Sequence, residues 1–384
     1  MEIRKLFYED PNLRQFSATV LECTQTQKGY AVVLDQTAFY PEGGGQASDM
    51  GLLGGVKVTY VREQDGVIVH ECDQPLEVGS RVEGEIDWLH RFDLMQQHTG
   101  EHIISGLVNR YFGYHNTGFH VGEQIMEVDF DGPIDPQMLA RIEWEANEAI
   151  WQDIPLKCWI PSPEELPQVA YRTKRPLPWP VRIVQVPGYD SCACCGIHVT
   201  TTGQVGFIKI LSCVKFHQGV RMELVCGSRA VDIMRRVFDQ NKLVSQAFSA
   251  QILQTGEAAQ RMNDNLAAEK FRVAGLEKQL WNCIANSYAN VENPVHFQPD
   301  ISSAGVRELA DAIGAVCIGY AVVYSGSDEA GYSLCIVSPR LENARELGSA
   351  ASQRLNGKGG GKPACFQGRF QTTAREIQQY FLNM

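Results

Sequence analysis

A chain of 384 residues, 44% of them hydrophobic and 21% charged, is long enough for two or three globular domains. No stretch reaches the ~18 apolar residues of a membrane span, and the first residues lack the apolar core of a signal peptide, so we expect a cytoplasmic protein. A net charge of −11 argues against a protein that coats nucleic acid indiscriminately, although local basic patches are compatible with that charge.

Short alternating apolar runs separated by turn residues fill residues 1–88, and this pattern predicts a small β-barrel. The segment FYPEGGGQ follows a predicted strand and contains three successive glycines, Gly43, Gly44 and Gly45. Glycines let backbone N–H groups touch a ligand directly, so we interpret them as stabilisers of a developing negative charge, with a tight turn as the alternative. A turn needs neither Gln46 nor Thr37, whose amide and hydroxyl suit recognition of a small polar group. We therefore take Gln46, together with the three glycines, as a catalytic candidate and Thr37 as a substrate-binding candidate.

Beyond residue 88 the apolar period becomes helical and then mixed, which predicts an α+β domain over residues 89–230. Its helix carries His98 and His102, four residues apart, so both imidazoles lie on one face. In a zinc peptidase helix, glutamate directly follows the first histidine. Here the acid is Glu101, so the motif is not that of a peptidase.

The segment GYDSCACCGIHV supplies two more candidate ligands, Cys194 and His198, across a turn that contains glycine. Three imidazoles and a thiolate suit Zn²⁺ rather than Mg²⁺ or Ca²⁺, which prefer oxygen ligands. Twelve cysteines in a chain without an export signal favour reduced thiols, and their clustering here favours a metal. Cys192 and Cys195 are rival thiolates to Cys194. A cysteine-rich buried strand beside two surface histidines is the alternative.

Residues 231–289 contain no proline and repeat apolar residues at helical intervals, which predicts two long helices in a rod or hairpin. Residues 290–384 predict a final α/β unit. Near its end, GKGGGKP sets glycine N–H groups beside lysines, and we interpret it as a loop that binds phosphate, with a solvated face as the alternative. The residues concerned are Lys358, Gly359, Gly360, Gly361 and Lys362.

Two further features concern phosphate chemistry. The segment YRTKRPLPWPVR is another basic patch, with the four cationic residues Arg172, Lys174, Arg175 and Arg182. We interpret it either as a contact for nucleic acid or as a solvated face. In GKGGGKP the second lysine is followed by Pro363 and not by serine or threonine, so this is not a Walker loop. We therefore expect no nucleotide hydrolysis.

In its motifs and their order the chain resembles the AlaX-type proteins, which are free-standing relatives of the editing domain of alanyl-tRNA synthetase. The resemblance runs nearly end to end, through DQTAFYPEGGGQASDMG, QQHTGEHIISG, CCGIHV and NGKGGGKPACFQG. It implies a zinc-containing editing domain, an amino-acid pocket in which Thr37 meets a serine hydroxyl, and a C-terminal DHHA1-like domain that contacts tRNA. The family usually writes the last zinc segment as Cys-Gly-Gly-Thr-His, whereas Cys195 and Ile197 replace a glycine and the threonine here.

The resemblance implies an enzyme that hydrolyses the ester between tRNA(Ala) and a wrong amino acid, serine or glycine, without ATP. Four protein ligands would close the coordination sphere of zinc, so zinc either activates water or only shapes the pocket, and the ligand count favours the second. The alternatives are a non-catalytic tRNA-binding protein with a structural zinc and, more weakly, a phosphoesterase, since no Asp-His-His triplet occurs in the sequence. A monomer and a homodimer through the helical rod or the C-terminal domain both fit.

Overall fold

The computed structural model describes residues 3–173, 177–340 and 343–384. The chain forms two compact units, Met1–Asn241 and Lys242–Met384. Both contain helices packed on antiparallel or mixed sheets, so the prediction of a mixed α+β, multidomain chain is confirmed. Within the described ranges, no helix has both the length and the apolar character needed to cross a membrane.

The first unit begins with a small, mainly β body. Its elements are β1 Arg4–Lys5, α1 Leu6–Glu9, β2 Gln15–Thr26, β3 Gly29–Leu34, β4 Gln36–Thr37, β5 Gly51–Leu53, β6 Val56–Gln64, β7 Val67–Cys72 and β8 Arg81–Ile86. Six of the strands form a closed antiparallel barrel in the order β2-β3-β7-β6-β5-β8. Alternate residues of β2, such as Phe16, Ala18 and Val20, are buried, as the two-residue period of a strand requires.

The second part of this unit combines two antiparallel sheets with helices. Its elements are α2 Trp88–Phe112, β9 Asn116–Val121, β10 Met126–Phe130, α3 Pro136–Trp151, β11 Lys157–Trp159, β12 Ile183–Val186, β13 Asp190–Ala193, β14 Ile208–Phe216, β15 Gly219–Cys226 and α4 Gly227–Ala247. The sheet orders are β14-β15-β10-β9 and β11-β12-β13. Helix α2 packs against α3, β13 and β15, which buries nearly all of its middle turns.

Local signals set the ends of α2. The Asp87 side chain accepts a hydrogen bond from the backbone N–H of His90, which satisfies one of the free donors of the first turn. The helix ends at Gly113, whose φ of 72° is the left-handed conformation that glycine adopts without strain. The two candidate histidine ligands therefore lie in the middle of a rigid helix and not at a fraying end.

A buried ion pair links α2 to the segment that contains FYPEGGGQ. Arg91 is fully buried and donates hydrogen bonds to Asp49, which is 1% exposed. The same guanidinium donates to the backbone carbonyls of Leu13 and Ala38, and Asp49 also accepts from the backbone N–H of Tyr40. This network fixes the segment before β5 relative to the helix.

The second unit is a five-stranded mixed sheet with helices. Its elements are α5 Thr255–Ser287, β16 Val295–Phe297, α6 Ser303–Val316, β17 Ala321–Ser327, β18 Gly331–Val337, α7 Ala344–Arg354, β19 Gly357–Lys362, β20 Cys365–Phe370 and α8 Ala374–Leu382. The strand order is β16-β17-β18-β20-β19, with only the β16–β17 pair parallel in the described sheet. Helix α6 packs on β17 and β18, and α7 packs on β19 and β20.

The prediction that GKGGGKP forms a loop is wrong. Gly357–Lys362 forms β19, an edge strand that pairs with β20. Aromatic packing explains its glycines. A Cβ on Gly357 would lie 2.4 Å from the ring of Phe370, and a Cβ on Gly359 would lie 2.6 Å from Cζ of Phe366. The glycines therefore let the rings of β20 lie across the neighbouring strand.

Candidate metal centre

The structure brings the four predicted metal ligands together. One donor atom from each of His98, His102, Cys194 and His198 lies within 4.8 Å of the others. The sulfur of Cys194 is 3.4 Å from Nε2 of His98 and 3.6 Å from Nε2 of His198. Atoms this close can bind a single ion with little rearrangement.

Two side chains from outside the cysteine segment hold its turn in place. Arg182 donates to the carbonyls of Cys194 and Gly196, at 3.0 and 2.7 Å, and its guanidinium lies over the ring of Tyr8. The Tyr8 hydroxyl donates to the carbonyl of Cys195 at 2.7 Å. These contacts aim the Cys194 sulfur at the helix α2 histidines.

Gly196 is required by a close approach. A Cβ at this position would lie 2.2 Å from Cε1 of His98, which leaves no room for a side chain between the turn and the imidazole. The N–H of Gly196 also donates to the Cys194 sulfur at 3.3 Å. The family glycine that Cys195 replaces is one residue earlier, so this contact survives the substitution.

Each imidazole is oriented by a hydrogen bond at Nδ1. His98 pairs with Oε1 of Gln46 at 2.8 Å, His102 with Oδ2 of Asp190 at 2.9 Å, and His198 with the hydroxyl of Thr99 at 3.3 Å. When Nδ1 donates its proton to such an acceptor, Nε2 keeps its lone pair for a metal. Gln46, predicted from the sequence as a catalytic residue, contacts His98 through Oε1, and its buried Nε2 has no hydrogen-bond partner within the described chain.

Asp190 connects His102 to Arg172. Arg172 donates two hydrogen bonds to this carboxylate, at 2.7 and 2.8 Å. Burial alone would raise the pKa of Asp190, but His102 and Arg172 together hold it below its ordinary value, so the carboxylate stays ionised. Arg172 and Arg182, two residues of the basic patch, are therefore engaged within the protein, and Lys174 and Arg175 lie outside the described residues.

The three neighbouring thiols differ in charge. Although burial disfavours a thiolate at Cys194, the surrounding imidazoles lower its pKa well below its ordinary value. Burial raises the pKa of Cys192 to about 11 and also raises that of Cys195, so both stay protonated near neutrality. Cys194 is therefore the thiolate of this cluster.

The imidazoles also differ in protonation. Burial opposes a charge on His102, but Asp190 and Cys194 outweigh it and hold the pKa of His102 well above its ordinary value. Burial and the neighbouring imidazoles depress the pKa of His198 well below its ordinary value. A cation bound here replaces the proton on His102, so rising pH favours metal binding.

The ligand cluster faces a cavity of about 310 Å³. Besides the ligands, its walls include Gly44, Gly45, Glu101, Asn116, Phe119 and Leu177. The N–H of Gly43 donates to the carbonyl of Gln46, but the N–H groups of Gly44 and Gly45 have no acceptor in the described part of the chain. At Gly45, φ is 82° and a Cβ would lie 2.4 Å from Phe119, so only glycine fits there.

Thr37 is not among the residues that line this cavity. It is fully buried in β4, where its hydroxyl is 2.8 Å from Nε2 of His70 and accepts from the N–H of Phe39. Burial lowers the pKa of His70 to about 4, and its Nδ1 lies 3.1 Å from the carbonyl of Val32. Neutral His70 thus donates to Val32 through Nδ1 and accepts from the Thr37 hydroxyl at Nε2.

Comparison with known sequences shows which proteins this chain is similar to. The family model described as "Threonyl and Alanyl tRNA synthetase second additional domain" matches residues 181–223, and "tRNA synthetases class II (A)" matches residues 9–90. Alanyl-tRNA editing protein Aarsd1 of Danio rerio is 26% identical over 96% of this chain and 94% of its own length. Alanyl-tRNA editing protein AlaX-L of Pyrococcus horikoshii is 32% identical over 61% of each chain. The chain is therefore similar to alanyl-tRNA editing proteins along nearly its whole length.

The chain is also similar to part of a longer enzyme. The alanine–tRNA ligase of Thermofilum pendens is 31% identical over 96% of the chain, and the chain spans 42% of the ligase. Among solved structures, the C-Ala domain of Aquifex aeolicus alanyl-tRNA synthetase matches 24% of the chain at 17% identity, with a TM-score of 0.21 that is too low to support an inference about fold.

Two of the residues that orient the candidate ligands, Asp190 and Thr99, were not predicted from the sequence. Asp190 stands in GYDSCACC, four residues before Cys194, and Thr99 directly follows the candidate ligand His98. The one available signal was that a metal-binding histidine needs an acceptor at its second nitrogen, which makes an aspartate near the ligands a candidate.

Proposed function

We propose that this chain hydrolyses the ester that links a wrong amino acid, serine or glycine, to tRNA(Ala). The observation that carries the proposal is the donor cluster on one wall of a cavity, with the free N–H groups of Gly44 and Gly45 on another. Water adds to the ester carbonyl, the bond to the ribose oxygen breaks, and the products are the free amino acid and tRNA with a free terminal hydroxyl. A synthetase pocket selects poorly against an added hydroxyl, so a separate hydrolytic site has a physical reason.

We also propose that the cluster holds Zn²⁺ through His98, His102, Cys194 and His198. The donor set fits, since three Nε2 atoms and one thiolate face one point and each imidazole has an acceptor at Nδ1. When bound, zinc would supply a Lewis acid that polarises a carbonyl or a water. The four-ligand set favours a role in shaping the pocket.

The remaining steps depend on the chain itself. The N–H groups of Gly44 and Gly45 stabilise the oxyanion that forms when water attacks, because they are already in place and have no other acceptor. Phe119 and Leu177 add apolar surface to the wall of this cavity.

Steady-state deacylation of seryl-, glycyl- and alanyl-tRNA(Ala) tests the proposal. Release of serine or glycine with alanyl-tRNA spared is the expected result. Tight binding of all three tRNAs without release of any amino acid would instead establish a non-catalytic tRNA-binding protein with a structural zinc, which the closed four-ligand set also allows.

For Thr37 we keep the proposal that its hydroxyl meets that of serine, although His70 is its partner in this structure. Thr37→Val is then expected to slow hydrolysis of seryl-tRNA about 5- to 150-fold, the range given by an unpaired polar group, and to leave glycyl-tRNA little changed. Parallel kcat/KM measurements decide. Equal losses on both substrates would assign Thr37 to the support of His70 and the barrel.

We propose that residues 290–384 form the tRNA-contacting, DHHA1-like part of the chain, through the exposed lysines Lys358 and Lys362 of β19. Their joint replacement by alanine is expected to raise KM and leave kcat nearly unchanged, because binding is lost equally from substrate and transition state. The slope of log affinity against log salt should fall by roughly 0.7–0.9 for each lost phosphate contact.

The matched control is Lys270→Ala with Lys278→Ala, which removes the same charge from the exposed face of α5. It should keep the wild-type salt slope. If both double variants change the slope equally, β19 has no special role and the effect is one of net charge.

We propose two alternative oligomeric states for this chain, a monomer and a homodimer that forms through α5. This helix exposes a series of large apolar side chains, Met262, Leu266, Phe271, Val273, Leu276 and Leu280. A second copy is one way to cover them. Sedimentation equilibrium of the full chain distinguishes the two states.

A further inference from the structure

Glu101 is a buried carboxylate that the mechanism above does not use. It lies on α2 directly before the ligand His102, and it is 5% exposed. Among the described residues that line the cavity, it is the one carboxylate. A buried charge needs a partner, so its hydrogen bonds decide what else the site requires.

The two oxygens of Glu101 have different surroundings. Oε1 accepts hydrogen bonds from the hydroxyl of Ser105 and from Nδ2 of Asn116, the latter at 2.6 Å. Oε2 has no donor in the described part of the chain, and its nearest cationic group, Nε2 of His102, is 4.0 Å away. The hydrogen bonds to Oε1 therefore fix the position of the carboxylate, and Oε2 is available to accept a hydrogen bond from a ligand in the cavity.

A second acceptor beside it is also unused. Oδ1 of Asn116 is buried and has no donor within the described residues, although Nδ2 of the same amide is paired with Glu101. The neighbouring cation Arg172 gives two hydrogen bonds to Asp190. The cavity thus offers a carboxylate oxygen and an amide oxygen as acceptors, so a ligand that completes them supplies hydrogen-bond donors, and a positive charge on it complements the carboxylate.

We propose that Oε2 of Glu101 and Oδ1 of Asn116 bind the α-ammonium group of the aminoacyl ester. This inference rests on the proposed function. An ammonium carries three donors and no acceptor, and its hydrogen bond to a carboxylate is charge-assisted. In the ester only the α-carbon separates this nitrogen from the carbonyl. Anchoring the ammonium therefore holds the carbonyl inside the cavity that Gly44 and Gly45 also line.

The anchor predicts selectivity for a free amino group. The wild-type chain should hydrolyse seryl-tRNA(Ala) faster than N-acetylseryl-tRNA(Ala), whose nitrogen is a neutral amide. Glu101→Gln keeps the size and the oxygen that Ser105 and Asn116 contact, but removes the charge. It is expected to lower kcat/KM on the free-amine ester about 10- to 150-fold, the range for a hydrogen bond to a charged group, and to change the N-acetyl ester little.

Zinc content and a control variant accompany these measurements. Glu127→Gln removes a carboxylate of β10 that is paired with Arg221 and does not line the cavity, and it should leave both rates unchanged. Glu101→Gln should bind as much zinc as wild type. Loss of zinc would assign Glu101 to the metal centre and overturn the proposal.

The substrate pair separates the possible failures. Equal losses on both esters in Glu101→Gln would overturn the ammonium anchor and favour a role in accepting a proton from water. A wild-type chain that hydrolyses both esters equally well would overturn it without any variant. A wild-type chain that hydrolyses neither would instead contradict the proposed deacylase function.

Discussion

Replacement of Cys194 by alanine is expected to abolish zinc binding and to lower kcat/KM for seryl-tRNA(Ala) by more than about 100-fold. Loss of a group that only orients a metal ligand already costs about 10- to 100-fold, and Cys194 is proposed as a ligand itself. Its sulfur lies within 3.6 Å of two imidazole Nε2 atoms, and its surroundings favour the thiolate. Metal analysis of the purified protein and single-substrate kinetics measure the two effects.

Cys192→Ala and Cys195→Ala are the matched controls, since each removes a thiol from the same short segment. Burial raises the pKa of both thiols, so neither supplies a thiolate near neutrality, and both variants should keep their zinc. Cys192 is the sharper control, because it also lies within 4.8 Å of His102 and Asp190. Full zinc in Cys194→Ala together with loss of zinc in one of the controls would move the ligand to that residue.

The pair His98 and His102 on α2 was predictable because it depends only on the spacing of two residues within one helix. A spacing of four residues places two side chains on one face of any α-helix, whatever surrounds it. The apolar repeat after residue 88 identified that helix, and the structure has it as Trp88–Phe112. The remote ligands Cys194 and His198 came from residue chemistry and the order of motifs, since spacing alone does not determine a distance across a fold.

The partners of the ligands were not predictable in the same way. Gln46 lies on a turn more than fifty residues before His98, and its side chain faces that imidazole only because the barrel packs against α2. The sequence predicted a functional role for this amide, but it did not show whether the amide faces a metal ligand or the substrate. Thr37 illustrates the same limit, since it lies in β4 outside the barrel and its partner His70 comes from the barrel strand β7.

The error at GKGGGK has a related cause. Four glycines in six residues are typical of a loop, because glycine adds backbone freedom and has no side chain to pack. In the structure the rings of Phe366 and Phe370 lie across the glycine strand and supply the packing that its own side chains lack. Cross-strand contacts of this kind depend on register, which composition does not encode.

Asp49→Ala is expected to destabilise the first unit by about 3–5 kcal/mol, the cost of leaving a buried charge without its partner. The unpaired group is Arg91, which is fully buried and also donates to the carbonyls of Leu13 and Ala38. Urea denaturation of the full chain measures the effect, followed by tryptophan fluorescence, because every tryptophan except Trp281 lies in the first unit.

Two comparisons show whether the loss belongs to the buried pair. The exposed pair Arg4–Glu9 has a hydrogen-bonded geometry of the same kind, but solvent screens it, so Glu9→Ala should change stability little. Adding Arg91→Met to Asp49→Ala should recover part of the stability, because no charge is then left unpaired in the core.

The pair also fixes the segment that carries Gln46 relative to α2, so Asp49→Ala should weaken zinc binding as well. If Asp49→Ala destabilises the chain no more than Glu9→Ala does, the junction between barrel and helix is held by apolar packing, and the ion pair only sets its orientation.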